Sequence, residues 1–428
     1  MAASVGAKVF SMACTLAQVP LALHYLGTEA YGFWITLSSI ALVLNTVDFG
    51  VGVGMQHAMA TAYGREDLGA VRRLFWTGVA ALSVLGAAVL ILGGAAVWAG
   101  SWADILKIHD PALRADTRRM LAIALGAFAL ALPFNAVNRL AAALQRGWIN
   151  AGWVAAGSAL SLTLVAAAAV GHWGLAWFLA ASLLLPVIQG LGLLLHLCRV
   201  LGWTLAPNGL APAAETRALL GSSFTYALPQ AGMALVQSVP ALAISMAAGA
   251  SAVTAYNLLM RLFGPLQQGQ VLLLTPVWPA YTEARVRGDA AWIERTFWRT
   301  AAAFGAIGGV LAIVAWQSRA ILQWWIGGQA DQLGFRLTAV VGLWAVLQMA
   351  AQPSLYYLMG VGRLRQLAWA ATPGFFASVA ALFWGSRGGT VAAVLLAGSA
   401  ALALLLLPPL LGTTFSALRA DRRGAGSP

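Results

Sequence analysis

The chain's 428 residues predict an all-α polytopic membrane protein, and three observations carry that reading. Hydrophobic residues make up 61% of the chain and charged ones 9%, with a mean hydropathy of +0.80, so water is not its main solvent. Apolar stretches of roughly 20 residues, long enough for a helix to cross a bilayer core, recur about a dozen times. None of them alternates with period 2. Unpaired backbone groups in lipid cost several kcal/mol each, which leaves the helix as the spanning element.

In chain order the spans are expected at 7–26, 31–54, 74–99, 120–144, 150–170, 174–198, 217–248, 252–279, 297–316, 334–359, 364–384 and 390–411. The first has no small-residue cleavage site behind it and reads as a retained helix, not a signal peptide. The second ends in VDFGVGVG at 47–54, where Met55 stands in place of the third glycine of a dinucleotide fingerprint and no strand precedes. Its glycines are expected to ease packing or bending as the helix leaves the bilayer, and Asp48 marks that boundary. The charged stretch at 100–120 reads as a partly helical surface segment. Pro20, Pro133, Pro186, Pro265, Pro276 and Pro353 interrupt spans, and Pro229 with Pro240 makes the seventh span the hinge candidate. Cys14 and Cys198 read as small apolar fillers, since their spacing matches no metal or redox motif. Trp34, Trp76, Trp98, Trp102, Trp148, Trp173 and Trp203 fall near span ends, where indoles anchor at the interface.

An even number of spans puts both termini on one side, and basic residues choose it. With cytoplasmic termini, sixteen of the 25 Lys and Arg residues lie inside and seven outside, while Arg139 and Arg261 lie within spans. The net charge of +12 is therefore matched to anionic lipid and not to nucleic acid.

The two halves of the chain are related. YGREDLGAVRRLFW at 63–76 aligns with RVRGDAAWIERTFW at 285–298, an offset of 222 residues that pairs Asp67 with Asp289 and Phe75-Trp76 with Phe297-Trp298. EAYG at 29–32 resembles TAYN at 254–257 after a three-residue indel. Each match follows the second span of its half, so six helices repeat in the same orientation, related by a pseudo-two-fold axis along the membrane normal. Such parallel repeats are a transporter signature. The expected organisation is a six-helix bundle at 1–200, a cytoplasmic linker at 201–216, a second six-helix bundle at 217–412 and a basic cytoplasmic tail at 413–428.

LGTEAYGFWITLSSIALVLNTVDFGVGVGMQHAMATAYGRED at 26–67 and GASAVTAYNLLMRLFGPLQQGQVLLLTPVWPAYTEARVRGD at 249–289 resemble the Wzx-type O-antigen and polysaccharide flippases of the multidrug/oligosaccharidyl-lipid/polysaccharide (MOP) exporter superfamily. That resemblance implies two six-helix bundles around a central cavity, as in MATE-like exporters. It also implies alternating access, moving a polyprenyl-diphosphate-linked oligosaccharide from the cytoplasmic to the periplasmic leaflet of a bacterial inner membrane for O-antigen or lipopolysaccharide synthesis. Polysaccharide assembly enzymes would be further partners. The seventh span lacks the charged groups common in the family, and the extra C-terminal helix pair of the lipid II flippase branch is absent from this sequence.

Arg139 and Arg261 are the charges that matter, because a charge at mid-span costs about 2.5–3.5 kcal/mol on insertion scales. Their planar, permanently charged forks suit a diphosphate. The alternatives are snorkelling to headgroups or pairing with a carboxylate such as Asp48 or Glu283. Asp48 is the candidate for ion coupling, set against a structural ion pair or helix-end role. Asn135, Asn138, Gln230, Gln237, Gln267 and Gln268, with Asn45, Gln270, Gln348 and Gln352, are candidates for bonding sugar hydroxyls or for ordinary interhelical bonds. Trp278 is a possible sugar-stacking platform. The sequence carries no Walker A, zinc helix, paired cysteines or placed nucleophile, so neither an enzyme nor a cofactor is expected and an ion gradient is left as the energy source. The competing readings are a MATE-like drug or metabolite antiporter, which would favour acidic groups, and a membrane glycosyltransferase or ligase, which would need a sizeable loop domain.

Overall fold

The computed structural model describes residues 2–46, 51–204, 209–274, 277–327 and 334–424, and they are almost entirely helical. Asp48 lies outside the described residues. The chain forms two compact units, Met1–Ala227 and Leu228–Pro428. The division falls inside a continuous helix, later than the linker expected at 201–216.

In the first unit α1 (Ala2–Thr46) is two helical segments joined at Gly27, whose φ of 74° and ψ of 175° leave the helix. It is followed by α2 (Val51–Gly64), α3 (Leu68–Ala99), the short α4 (Trp102–Ile105), α5 (Pro111–Ala143), α6 (Gly147–Val170), α7 (Leu175–Leu201) and the start of α8 (Ala213–Ala248). The second span was expected to end at 54, yet α2 continues to Gly64. The reason is packing: Met55, Met59 and Ala62 recur at helical spacing and are buried against Val71, Leu74 and Phe75 of α3 and Val137, Leu140 and Ala141 of α5. Lipid tails are as apolar as these side chains, so transfer from lipid gains little and close fit must hold the helices. Gly78 makes that fit, since a Cβ there would lie 1.7 Å from the Met55 sulfur.

Side-chain bonds identify the two ends of this unit. At one, the Glu29 carboxylate accepts from the backbone N–H of His109 (2.6 Å) and Asp110 (3.1 Å), and the Tyr25 hydroxyl donates to the Trp173 carbonyl. At the other, Arg72 donates to the carbonyl (2.8 Å) and hydroxyl (2.7 Å) of Thr204 and lies over the Trp203 ring.

The second unit holds the rest of α8, then α9 (Ala250–Leu274), α10 (Val277–Val286), α11 (Ala290–Trp316), α12 (Ser318–Ile326), α13 (Phe335–Gly360), α14 (Leu364–Gly385), α15 (Val391–Ala401), a π-helical stretch at Leu402–Leu406 and α16 (Leu407–Gly424). The segment from 413 was expected as a basic tail, but it is the end of α16. Leu410, Thr414, Ala417 and Leu418 form a buried stripe at helical spacing. Asp421, on the next turn, pairs with Arg363 at 2.5 Å and accepts from the Tyr357 hydroxyl at 2.8 Å. Arg422 pairs with Glu294. Burial pushes the phenol of nearby Tyr281 up to about 12, so it stays neutral.

Among the described residues ten helices are long and apolar enough to cross a membrane, where twelve were expected. Two features account for the difference. The first two expected spans merge across Gly27 into Gly6–Ile40, and α9 is not among the ten. Its Asn257, Arg261, Gln267, Gln268 and Gln270 dilute its hydropathy.

The units repeat one another in detail. Asp67 caps α3 by accepting from Ala70 N–H at 2.8 Å, and Asp289 caps α11 by accepting from Trp292 N–H at 2.9 Å. Phe75 meets Trp76 edge-on at 5.2 Å, and Phe297 meets Trp298 at 5.4 Å. The turn residues with positive φ also pair along the chain: Gly27 with Gly249, Glu66 with Gly288, Lys107 with Gly327, Gln145 with Gly362 and His172 with Gly389.

Candidate functional site

Candidate residues gather into one polar stripe in each unit. In the first, Asn135, Asn138 and Arg139 lie at i, i+3 and i+4 of α5 and so share a face. The neighbouring Ala136, Val137, Leu140 and Ala141 point into the core, while Asn138 is exposed and Asn135 and Arg139 are half-buried. Arg139 donates from Nη1 to Gln56 Oε1 of α2 at 3.3 Å. Gln56 was missed by sequence reasoning because it lies past the expected end of the second span, where a polar residue signals nothing.

In the second unit Arg261 sits eleven residues into α9, roughly 17 Å along the axis and thus near the middle of that helix. Gln268, two turns on, shares its face and is exposed. Tyr256, Leu259, Phe263 and Gln270 occupy the packed face, and Gln267 is on that side too. Gln270 donates to the Met349 carbonyl at 2.9 Å, an ordinary interhelical bond. Among the described residues Arg261 has no hydrogen-bond or ion-pair partner. Glu283, offered as its partner, pairs instead with Arg287 at 2.5 Å on the surface. The two arginines are not repeat equivalents: Arg139 is four residues from the end of α5, whereas Arg261 is central in α9.

The remaining amides fall into different settings. Gln237, Gln348 and Gln352 line a slot with Met233, Val236, Phe375, Leu402 and Leu406, whose volume of about 10 Å³ suits one water and is too small for a sugar. Gln352 Oε1 is buried there without a partner among the described residues. The π-helical stretch forms one wall of the slot, and its Leu402 and Leu406 reach into it. Pro240 is buried in α8, a single helix from Ala213 to Ala248. The side chains of Pro229, Gln230, Trp278 and Asn45 lie outside the described residues. Trp34 corrects the anchoring expectation: it is buried, meets Phe178 edge-on and donates to the Ser182 hydroxyl at 3.0 Å. Trp98, Trp148 and Trp173 are exposed, as interfacial anchors require.

The acidic residues complete the electrostatics. Glu29, Asp67, Asp104, Asp110, Asp289 and Asp421 all sit at helix ends or in loops, and among the described residues no carboxylate occupies the middle of a span.

No protein-family model matches the sequence, and no curated protein matches it either. Solved structures do. An inward-facing multidrug resistance MATE family transporter of the MOP superfamily superposes with a TM-score of 0.71 at 14% identity, covering 97% of this chain and 99% of that one. The lipid II flippase MurJ in an inward closed conformation gives 0.73 at 12% identity over 99% and 92%. The chain has the same fold as these two structures. At such identities the MOP likeness is one of fold alone, so the basic stripes must be read from this chain's own residues. With ten apolar helices among the described residues, the chain is a multi-pass membrane protein.

Proposed function

We propose that the protein is a Wzx-type flippase. It carries a polyprenyl-diphosphate-linked oligosaccharide from the cytoplasmic to the periplasmic leaflet of a bacterial inner membrane, by alternating access coupled to an ion gradient. The observation that carries this reading is Arg261, a permanent cation in the middle of α9 without a protein partner among the described residues. Such a charge persists in an apolar segment when its ligand supplies the counter-charge, and a diphosphate matches the guanidinium fork. The α5 stripe adds Arg139 and two amides, donors and acceptors suited to sugar hydroxyls. A MATE-like exporter of cationic drugs would want the reverse sign in the same place. In this reading both termini are cytoplasmic, the two bundles are the moving parts and the protein performs no covalent chemistry.

The test is genetic and chemical together. A deletion strain without redundant flippases is expected to lose surface glycan and to accumulate the lipid-linked intermediate on the cytoplasmic face, and an uncoupler is expected to reproduce that accumulation. Normal surface glycan with no accumulated intermediate would rule the function out.

A further inference from the structure

We infer that the cleft between the second turn of α6 and the last turns of α7 binds the headgroup of an anionic phospholipid. Trp153 of α6 forms one wall, and Gly192, Leu195, His196, Arg199 and Val200 of α7 form the other, around a volume of about 300 Å³. Gly192 creates the recess: a Cβ there would lie 2.3 Å from the Trp153 ring, so the indole rests directly on the helix backbone. Leu195, His196 and Arg199 follow at i+3, i+4 and i+7 and project from the same face.

The chemistry is that of a phosphate site. Arg199 offers a bidentate fork and His196 a ring N–H one turn away, and no carboxylate among the described residues lines the cleft. Among the described residues neither side chain has a hydrogen-bond or ion-pair partner. The cleft lies at the end of the first unit that also carries Arg65, Arg72, Arg73 and Arg146, the basic end expected to face the anionic cytoplasmic leaflet.

A second observation selects a lipid over a free anion. Ile188, Leu191 and Leu195, spaced at i, i+3 and i+7, are exposed at 49%, 46% and 39%, a continuous apolar track leading along α7 from the cleft toward the bilayer centre. Trp148, 59% exposed on the first turn of α6, sits at the same end. A polar recess with a guanidinium and an imidazole N–H donor, opening onto an apolar track, matches a phosphodiester joined to acyl chains. This proposal requires the membrane setting but not the transported substrate.

Native mass spectrometry of the full chain, titrated with phosphatidylglycerol or phosphatidylcholine, tests it. The variant combining Arg199→Gln with His196→Ala is expected to weaken the tightest phosphatidylglycerol adduct by about tenfold or more, as loss of a charge-assisted hydrogen bond requires. Arg199→Lys should keep most of the affinity, and phosphatidylcholine binding should not change. Because these side chains are outside the packed core, melting temperatures should match wild type. Any one of these results would overturn the inference: unchanged phosphatidylglycerol affinity in the double variant, equal affinity for phosphatidylcholine, or displacement of the lipid by millimolar inorganic phosphate. A polyprenyl phosphate bound more tightly than phosphatidylglycerol would likewise replace the phospholipid with the carrier lipid. Glycan export in the variant reports separately on the flippase reading.

Discussion

At the scale of single residues, two arginines in the second unit show opposite uses of the same side chain. Arg363 is matched: its guanidinium and the Asp421 carboxylate are 17% and 13% exposed, and the Tyr357 hydroxyl completes the set. Replacing Asp421 by Ala strands a largely buried charge, and the expected loss is about 3 kcal/mol, read as a lower melting temperature of the purified protein, with Asp421→Asn losing less. Arg261 is unmatched by protein among the described residues, so its removal should not destabilise. Arg261→Ala is expected to leave the melting temperature unchanged or higher and to cut glycan export at least about tenfold, whereas Arg261→Lys, a point charge without the fork, retains part of the activity. Equal export by wild type and Arg261→Ala would remove this residue from the substrate path. Arg261 was legible in the sequence because a charge in an apolar run is conspicuous. Gln56 and the Arg363–Asp421 pair were not, since each sits in a stretch that reads as polar surface.

At the scale of elements, the turns specify the helices. Gly27 and Gly249 stand at corresponding places in the two units with φ of 74° and 83°, and at Gly27, whose ψ is 175°, the backbone is one that a Cβ disfavours by about 1–3 kcal/mol. An added methyl at Gly27 meets nothing within 4 Å, so the loss there comes from the backbone alone. Gly27→Ala is therefore expected to lower stability by about 1–3 kcal/mol, measured by thermal unfolding in detergent. Glu66, Lys107, Gln145 and His172 hold the matching turns of the first unit without glycine, while the second unit uses glycine at each. Helix ends were the least legible part of the sequence. The stretch at 55–64 and the segment after 413 contain too many polar residues to register as apolar, yet each forms a helix because one face of it packs onto neighbours distant in the chain.

At the scale of the whole molecule, orientation is the property that charge predicts and chemical labelling checks. In a background with Cys14 and Cys198 replaced by Ser, an impermeant maleimide is expected to label Lys107→Cys and Arg387→Cys on intact cells, and Glu66→Cys and Arg365→Cys only after permeabilisation. The inverse pattern would reverse the topology and place the cationic cleft of α6 and α7 in the outer leaflet. The sequence by itself determined the all-helical membrane class, the six-helix repeat, the expected sidedness and the anomalous charge at mid-span. Those properties rest on local sums: hydropathy over about 20 residues and the count of basic residues flanking each span. Only the tertiary structure decided which polar groups satisfy one another, as with Arg139 and Gln56 across 83 residues and Arg363 and Asp421 across 58. It also decided which amides are confined to a water-sized slot and which stand on an open face. Those outcomes depend on how each helix is rotated about its axis against its neighbours, and among uniformly apolar helices hydropathy carries little of that information.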